Sequence, residues 1–401
     1  MGSPEQGLKY VHVGGTNGKG STSHIVEKIL EVAEYKVGRF TSPHIHSYLE
    51  RFTINGERIT AQELQIYIND IEELIKDIFS GDQDRPTEFE LLTALAFKWF
   101  KDKQVDIAVM EVGMGGLYDS TNVIIPEVSI ITSIALDHMS FLGDTIEEVA
   151  FNKAGIIKSQ VPIVVGKIED RALKVIENEA LAKKAPLFNS SATKVIKKTD
   201  SGILGCEVDI IGPDYNLSNV FFSLPGDFQL ENLVTALTAI SVLINKGFHI
   251  SNDHIKKGLA QLKMPGRLEV VKDNPLVIVD VAHNPHAARA VNESLTRLLP
   301  NKKRTLLCGI VDDKDAFGII KELGQNVSTC IITKPEGPRG DNWLRLKSLW
   351  QELYPDKLLV AIEDIEEAVG YALDTLNEDE YLLICGSFYI LDKARRMFTT
   401  S

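Results

Sequence analysis

Apolar residues in this chain gather in short, nearly continuous runs, separated by stretches where they recur every three or four positions. The runs at 10–13, 105–110 and 128–134 have strand length and no polar alternation, as expected of a parallel sheet covered on both faces. Between them, Leu64, Ile68, Ile71, Ile75 and Ile78 step by four and three along one face of a helix. That helix opens on a capping box, Thr60 with Glu63. The pairs Thr87/Glu90 and Thr145/Glu148 repeat the signature ahead of 91–100 and of the segment carrying Lys153. A helix is predicted over 21–35, and a longer one over 230–245 that stops at Gly247.

The stretch 193–224 has a different rhythm. Gly202, Gly205, Gly212 and Pro213 punctuate short strands, which reads as antiparallel β. A linker follows at Lys263-Met264-Pro265-Gly266-Arg267. Beyond it, strands are predicted at 277–281, 305–310, 329–333, 358–362 and 381–385, with helices between, which is a Rossmann-like α/β unit. The expected fold is therefore α/β in two domains, 1–264 and 265–401. The first has a mostly parallel sheet of P-loop ATPase type plus a small antiparallel β region.

The first strand runs into Gly14-Gly15-Thr16-Asn17-Gly18-Lys19-Gly20-Ser21 and then a helix. Glycines let backbone N–H groups converge on phosphate oxygens, the helix start adds partial positive charge, and Lys19 adds a full one. The match to GxxxxGK[ST] is imperfect, because Val13 stands in the first glycine position and Gly20 in the hydroxyl position. Ser21 could supply the hydroxyl for Mg²⁺. A glycine-rich turn without ligand is the plain alternative.

Composition narrows the partners. At 401 residues, with 44% hydrophobic and 25% charged, the chain is ordinary globular protein and long enough for two cores. A net charge of -13 disfavours nucleic acid or an anionic membrane as a general partner. Of the four cysteines, Cys308, Cys330 and Cys385 sit in apolar strand-like runs and Cys206 stands apart. None forms a CxxC pair, which fits a reducing compartment. No membrane-length apolar run and no signal peptide are visible, so the cytoplasm is expected.

Further candidates lie at the ends of predicted strands, where parallel α/β sheets bind ligands. Glu111 ends one strand; Asp137 and His138 follow another. Asp280 and His283 follow the strand at 277–281, with Asn284 as a helix cap and Pro285 in the first turn. Taken alone, Glu111 could be an ion-paired carboxylate, His138 a satisfied histidine and Lys153 a solvated lysine. No Ser/His/Asp or Cys/His arrangement for a covalent mechanism is evident.

The variant Gly15–Ser21 loop resembles that of the Mur ligase superfamily. Within it, the chain resembles folylpolyglutamate synthase/dihydrofolate synthase over nearly its whole length. The resemblance rests on Thr41-Ser42-Pro43-His44, Glu50-Arg51 with Asn55-Gly56, Thr87-Glu88-Phe89-Glu90, Glu111-Val112-Gly113-Met114-Gly115-Gly116, Asp119-Ser120-Thr121-Asn122, Leu136-Asp137-His138, Asn152-Lys153-Ala154-Gly155, Pro265-Gly266-Arg267-Leu268-Glu269 and Asp280-Val281-Ala282-His283-Asn284-Pro285. It implies an ATP-dependent ligase that phosphorylates a carboxylate and joins it to L-glutamate. The acceptor would be a folate, 7,8-dihydropteroate or both.

By the same resemblance Gly15, Thr16, Asn17, Gly18, Lys19, Gly20, Ser21, Asn232, Arg267, Asp280 and His283 bind ATP. Ser21, Ser42, Glu111, His138 and a carbamylated Lys153 hold two Mg²⁺ ions, with K⁺ as an accessory cation. Lys19, Lys153, His138 and His283 are the catalytic candidates. Thr87, Phe89 and Asp119 line the pterin side, and Arg339 is a candidate for a substrate carboxylate. The protein is expected to act as a monomer. Two departures stand out: Leu117 replaces the arginine of the usual Gly-Gly-Arg-Leu-Asp run, and only a short segment precedes the phosphate loop. A degenerate ATP-binding paralogue is one alternative. A muramyl-peptide ligase is another, although it needs a whole domain before the loop.

Overall fold

The computed structural model describes residues 1–78 and 85–399. The chain divides into two compact units. The first comprises Met1–Asp200, Cys206–Ser223 and Gln229–Leu262; the second comprises Ser201–Gly205, Leu224–Phe228 and Lys263–Ser401. The linker break thus falls two residues before position 264, and two short earlier segments join the second unit. The reason is apolar: Ile203 and Phe228 pack against that unit's core.

The first unit is built on β1 (Tyr10–Gly14), β2 (Val37–Phe40), β3 (Phe52–Ile54), β4 (Glu57–Arg58), β5 (Ile107–Glu111), β6 (Val128–Ile131), β7 (Ile163–Val165) and β8 (Leu187–Asn189). Their order is β4-β3-β2-β5-β1-β6-β7-β8. The pairs from β2 to β8 are parallel, and β3 and β4 add an antiparallel edge. β1 lies between β5 and β6 and is buried at every position.

Helix α1 (Lys19–Val32) begins two residues before its predicted start, because Gly18 takes a left-handed conformation as its N-cap. Helix α2 (Ala61–Ile78) opens at the Thr60–Glu63 pair; the side chain of Ile78 lies outside the described residues. Helices α3 (Glu88–Asp102), α4 (Met139–Leu142) and α5 (Ile146–Ala154) follow, and α3 and α5 carry both predicted capping boxes. Helix α6 is Asp170–Ala182. One apolar cluster joins Tyr10, Phe40 and Met110 to α3, and another joins Ile131 and Val165 to α5 and α6. The sheet's apolar runs are continuous because both faces are covered.

The stretch predicted to be antiparallel forms β9 (Lys194–Asp200), β10 (Cys206–Ile211) and β11 (Asn216–Phe222), ordered β11-β10-β9. Helices α7 (Asp227–Asn245) and α8 (Asn252–Ala260) complete the series. α7 is long and apolar enough, at mean hydropathy 1.3, to cross a membrane by composition, which corrects the expectation that no such run exists. Its Leu233, Ala236, Leu237 and Ile240 are fully buried within the protein, which accounts for that composition.

In the second unit, β12 (Glu269–Lys272), β13 (Val277–Asp280), β14 (Lys303–Cys308), β15 (Val327–Ile332), β16 (Leu358–Ala361) and β17 (Glu380–Cys385) take the order β12-β13-β17-β14-β15-β16. All pairs are parallel except the antiparallel edge β12. Helices α9 (Pro285–Leu298), α10 (Ala316–Leu323), α11 (Arg345–Leu353), α12 (Ile365–Thr375) and α13 (Phe388–Arg396) alternate with the strands. This is the Rossmann-like arrangement read from the sequence. All four cysteines are buried.

Candidate active site

The phosphate loop is tied to a distant part of the chain by a latch of hydrogen bonds. Thr16 N–H donates to the Ser133 carbonyl at 2.8 Å, and Asn17 N–H donates to Ser133 Oγ at 2.9 Å. Thr132 Oγ1 donates to the Asn17 carbonyl at 2.6 Å, and Thr16 Oγ1 exchanges bonds with the backbone of Ala135. The latch follows β6, which pairs beside β1. Two glycines make it fit. A Cβ on Gly15 would lie 2.0 Å from Thr132 Oγ1, and one on Gly18, at φ +84°, would lie 2.2 Å from Asn232 Oδ1. Asn232 is thereby placed against the loop, with Nδ2 donating to Gln229 Oε1 at 3.0 Å.

Two amines meet on one oxygen of this loop. Lys19 Nζ donates to the carbonyls of Gly15 and Thr16 at 3.1 and 3.2 Å. Lys153 Nζ, near the end of α5, donates to the same Gly15 carbonyl at 2.9 Å. Lys153 is buried, 4% exposed. Burial, and then the charge of Lys19, pull its amine down to about 7, against the opposing pull of Asp137 and Asp119. The solvated lysine suggested by the isolated sequence is therefore a core residue with a readily deprotonated amine.

Glu111 ends β5 directly beside Val13 of β1 and is 4% exposed; the amide of Ser42 donates to its Oε2 at 3.4 Å. A buried carboxylate at the strand tips beside a phosphate loop fits a hard divalent cation. Among the described residues no group of three His, Cys, Asp or Glu could hold a metal ion. Mg²⁺ characteristically takes its remaining oxygens from phosphate and water. His138 takes a left-handed conformation as the N-cap of α4, with Nε2 3.9 Å from Asp137 Oδ1.

The remaining candidates fall into two groups. In the first unit, Thr87 caps α3, its hydroxyl shared with Glu90. The Phe89 ring lies 5.7 Å from Phe40 and reaches the loop after β5, where a Cβ on Gly113 would lie 2.5 Å from it. Asp119 accepts from the amides of Thr121 and Met114. In the second unit, the buried Asp280 accepts from the amides of Leu268 and Ala282 at 2.9 and 2.8 Å. Burial raises its carboxyl, while Arg267 and those amides oppose the rise. Arg267 sits over the Phe388 ring at 5.6 Å, and His283 Nδ1 lies 3.0 Å from the Val281 carbonyl. Asn284 caps α9 as read from the sequence. Arg339 is engaged by Asp313, at 2.6 and 2.7 Å, and by the Tyr389 hydroxyl at 3.2 Å.

Sequence reasoning passed over the Thr132–Ser133 latch, which carries no local signal more than a hundred residues from the loop. It named Asn122 within a motif but gave it no role; Asn122 Nδ2 donates to the carbonyls of Leu117 and Gly155 and so ties the Leu117 loop to the end of α5. His12 was legible as a polar residue in an apolar strand but went unremarked.

A glycine loop fed by the central strand, with two lysines and a buried carboxylate around it, defines a nucleotide-using enzyme. Residues 13–240 match the Mur ligase middle domain, and 266–388 match the Mur ligase glutamate ligase domain. The protein is thus a Mur-type ligase. It is 33% identical to a dihydrofolate synthase/folylpolyglutamate synthase of Bacillus subtilis, across 99% of this chain and 92% of that protein. It is also 33% identical to a folylpolyglutamate synthase of Lacticaseibacillus casei, across 99% and 91%. Its structure matches Mycobacterium tuberculosis folylpolyglutamate synthase complexed with ADP at a TM-score of 0.94, with 30% identity, covering 100% of this chain and 92% of that one. It matches Escherichia coli FolC in complex with DHPP and ADP at 0.86, with 31% identity, across 98% and 89%. The chain belongs to the folylpolyglutamate synthase/dihydrofolate synthase family.

Proposed function

We propose that this protein adds L-glutamate to a folate γ-carboxylate, and also to 7,8-dihydropteroate, at the expense of ATP. The observation that carries the reading is the convergence of Lys19 and Lys153 on the Gly15 carbonyl, in a loop beside buried Glu111. The obstacle in such a reaction is repulsion between a substrate carboxylate and the γ-phosphate. Lys19 and the loop amides offset that charge and stabilise it as the phosphoryl group moves. The carboxylate oxygen attacks the γ-phosphorus and ADP leaves. The amine of glutamate then attacks the acyl carbon, and phosphate departs with the oxygen it gained.

Glu111, Ser21, Ser42, His138 and Lys153 are assigned to two Mg²⁺ ions, with K⁺ as an accessory cation. When bound, these ions neutralise phosphate charge and hold the γ-phosphoryl group in line. Lys153 serves as a carbamate in this reading. Its neutral amine adds CO₂, forms an N–C bond, releases a proton and becomes an anionic oxygen ligand. Lys153→Ala should lose activity and regain part of it with short carboxylates; full activity without additive would remove the assignment. Thr16, Asn17, Gly18, Gly20 and Asn232 bind the nucleotide with Gly15 and Lys19. Arg267, Asp280 and His283 are also assigned to nucleotide binding. Thr87, Phe89 and Asp119 line the acid-substrate side, and Arg339 binds a substrate carboxylate when released by Asp313. The protein works as a monomer in the cytoplasm.

The test is a substrate matrix in which dihydropteroate, tetrahydrofolate or a muramyl peptide is offered with MgATP and glutamate. ADP release requiring glutamate together with a pteroate or folate supports the proposal. Release with the muramyl peptide alone, or with no acceptor dependence, overturns it.

A further inference from the structure

We propose that His12 is a positioning residue for the acid-substrate side of the site, acting through Thr121 to hold the carboxylate of Asp119. The inference rests on the reading of Asp119 given above. His12 lies in β1, three residues before Gly15, and is fully buried. Its Nε2 is 2.8 Å from Thr121 Oγ1, and Thr121 is itself fully buried. The same hydroxyl lies 2.5 Å from Asp119 Oδ1.

The direction of each bond follows from the groups. An ionised carboxylate only accepts, so the Thr121 hydroxyl donates to Asp119. The Thr121 oxygen is then left to accept, which makes His12 the donor and fixes its ring as the Nε2–H tautomer. The ring stays neutral, since burial and then the charge of Lys158 lower its titration to about 3. Asp119 Oδ1 also accepts from the Thr121 amide at 3.0 Å, and Oδ2 accepts from the Met114 amide at 2.9 Å. Of roughly four acceptor positions on a carboxylate, one, on Oδ2, has no partner among the described residues. The relay thus leaves Asp119 a single directed acceptor for an N–H donor of the acid substrate.

A purely structural tie explains the arrangement less well. His12 Nδ1 is buried with no hydrogen-bond partner among the described residues, a cost that an apolar side chain at this position in the middle of β1 would not carry. The geometry retains a polar side chain in the core for its one bond to Thr121.

The experiment compares KM values for the acid substrate, ATP and glutamate, read by ADP release, in the full-length protein. His12→Leu and Thr121→Val should each raise the acid-substrate KM roughly tenfold, about the worth of one hydrogen bond. KM for ATP should stay within about twofold. His12→Gln places a donor near the Nε2 position and Thr121→Ser keeps the hydroxyl, so both should recover most of the affinity. The double variant His12→Leu/Thr121→Val should be no worse than either single one. A joint rise of all three KM values, or an unchanged acid-substrate KM in a destabilised variant, overturns the proposal. Ring ¹⁵N NMR of the wild-type protein adds a readout independent of turnover: the Nδ1–H tautomer at His12 contradicts the relay. If wild-type protein turns over no acid substrate at all, the ligase reading fails instead, and the tautomer still decides the relay.

Discussion

Replacing Lys153 by methionine should make the protein more stable and inactive, with a pH dependence set by the buried amine. Burial brings the amine from 10.5 to about 7. That shift corresponds to about 5 kcal/mol of penalty on the protonated form in the folded state. The penalty is complete below about pH 7, where folded and unfolded chains both hold the proton. It fades as pH rises toward 10.5, because there the unfolded chain binds more protons than the folded one. Methionine fills similar volume without charge. It forfeits the bond to the Gly15 carbonyl, about 1 kcal/mol, although that oxygen keeps its bond from Lys19. The attraction of Asp137 and Asp119 is already contained in that shift. The net gain at pH 6 should be about 4 kcal/mol, or several degrees in the thermal transition of a unit this size. Between pH 6 and pH 9 the advantage should shrink by about 3 kcal/mol. The assay is thermal unfolding of both proteins in CO₂-free buffer without Mg²⁺, so that residue 153 remains an amine. Ligation by the variant should fall at least about 100-fold. A variant less stable than wild type at pH 6, or an advantage constant with pH, would refute the reasoning.

Three further expectations follow from named contacts. Gly18→Ala puts a Cβ 2.2 Å from Asn232 Oδ1 at φ +84°, costing about 1–2 kcal/mol for the backbone alone; ATP KM should rise at least about tenfold, and an unchanged KM would show that Asn232 does not set the loop. Buried Glu27 lies 2.6 Å from Arg39 Nε and accepts from Thr53 Oγ1 at 3.0 Å. Burial would raise its carboxyl, but Arg39, His24 and Thr53 together hold it at about 2, below the ordinary 4.5. Its contribution of about 3 kcal/mol is therefore complete above pH 4.5 and lost as pH falls through 2. Glu27→Gln should lower stability at pH 7 and flatten acid unfolding in that window, and an unaltered acid transition would sink the assignment. Arg267→Ala should raise ATP KM without changing the thermal transition of the first unit; an unchanged KM removes Arg267 from the nucleotide site.

The strongest periodic signals in the sequence correspond to elements of the fold. The apolar runs at 10–13, 105–110 and 128–134 overlap the three central strands β1, β5 and β6. The Thr87/Glu90 and Thr145/Glu148 boxes open α3 and α5. What escaped is what depends on contacts distant along the chain. Strand β2 holds Gly38 and Arg39, so its pattern is weak, and its glycine is explained only by Phe100, whose ring lies 2.7 Å from where a Cβ would stand. Lys153 gave no sign of burial in its own segment. Its environment is made by Gly15, Lys19, Asp119 and Asp137, brought together by the sheet. Arg339 was legible as a cation but not as the partner of Asp313, which comes from another loop.

The central claim is that a carboxyl oxygen of the acid substrate passes through a bond to phosphorus. It is tested by running the reaction with that carboxylate labelled with ¹⁸O and analysing the released phosphate by mass spectrometry. One labelled oxygen in each phosphate is the predicted result. Unlabelled phosphate, in a reaction that nonetheless forms the amide, would contradict the account.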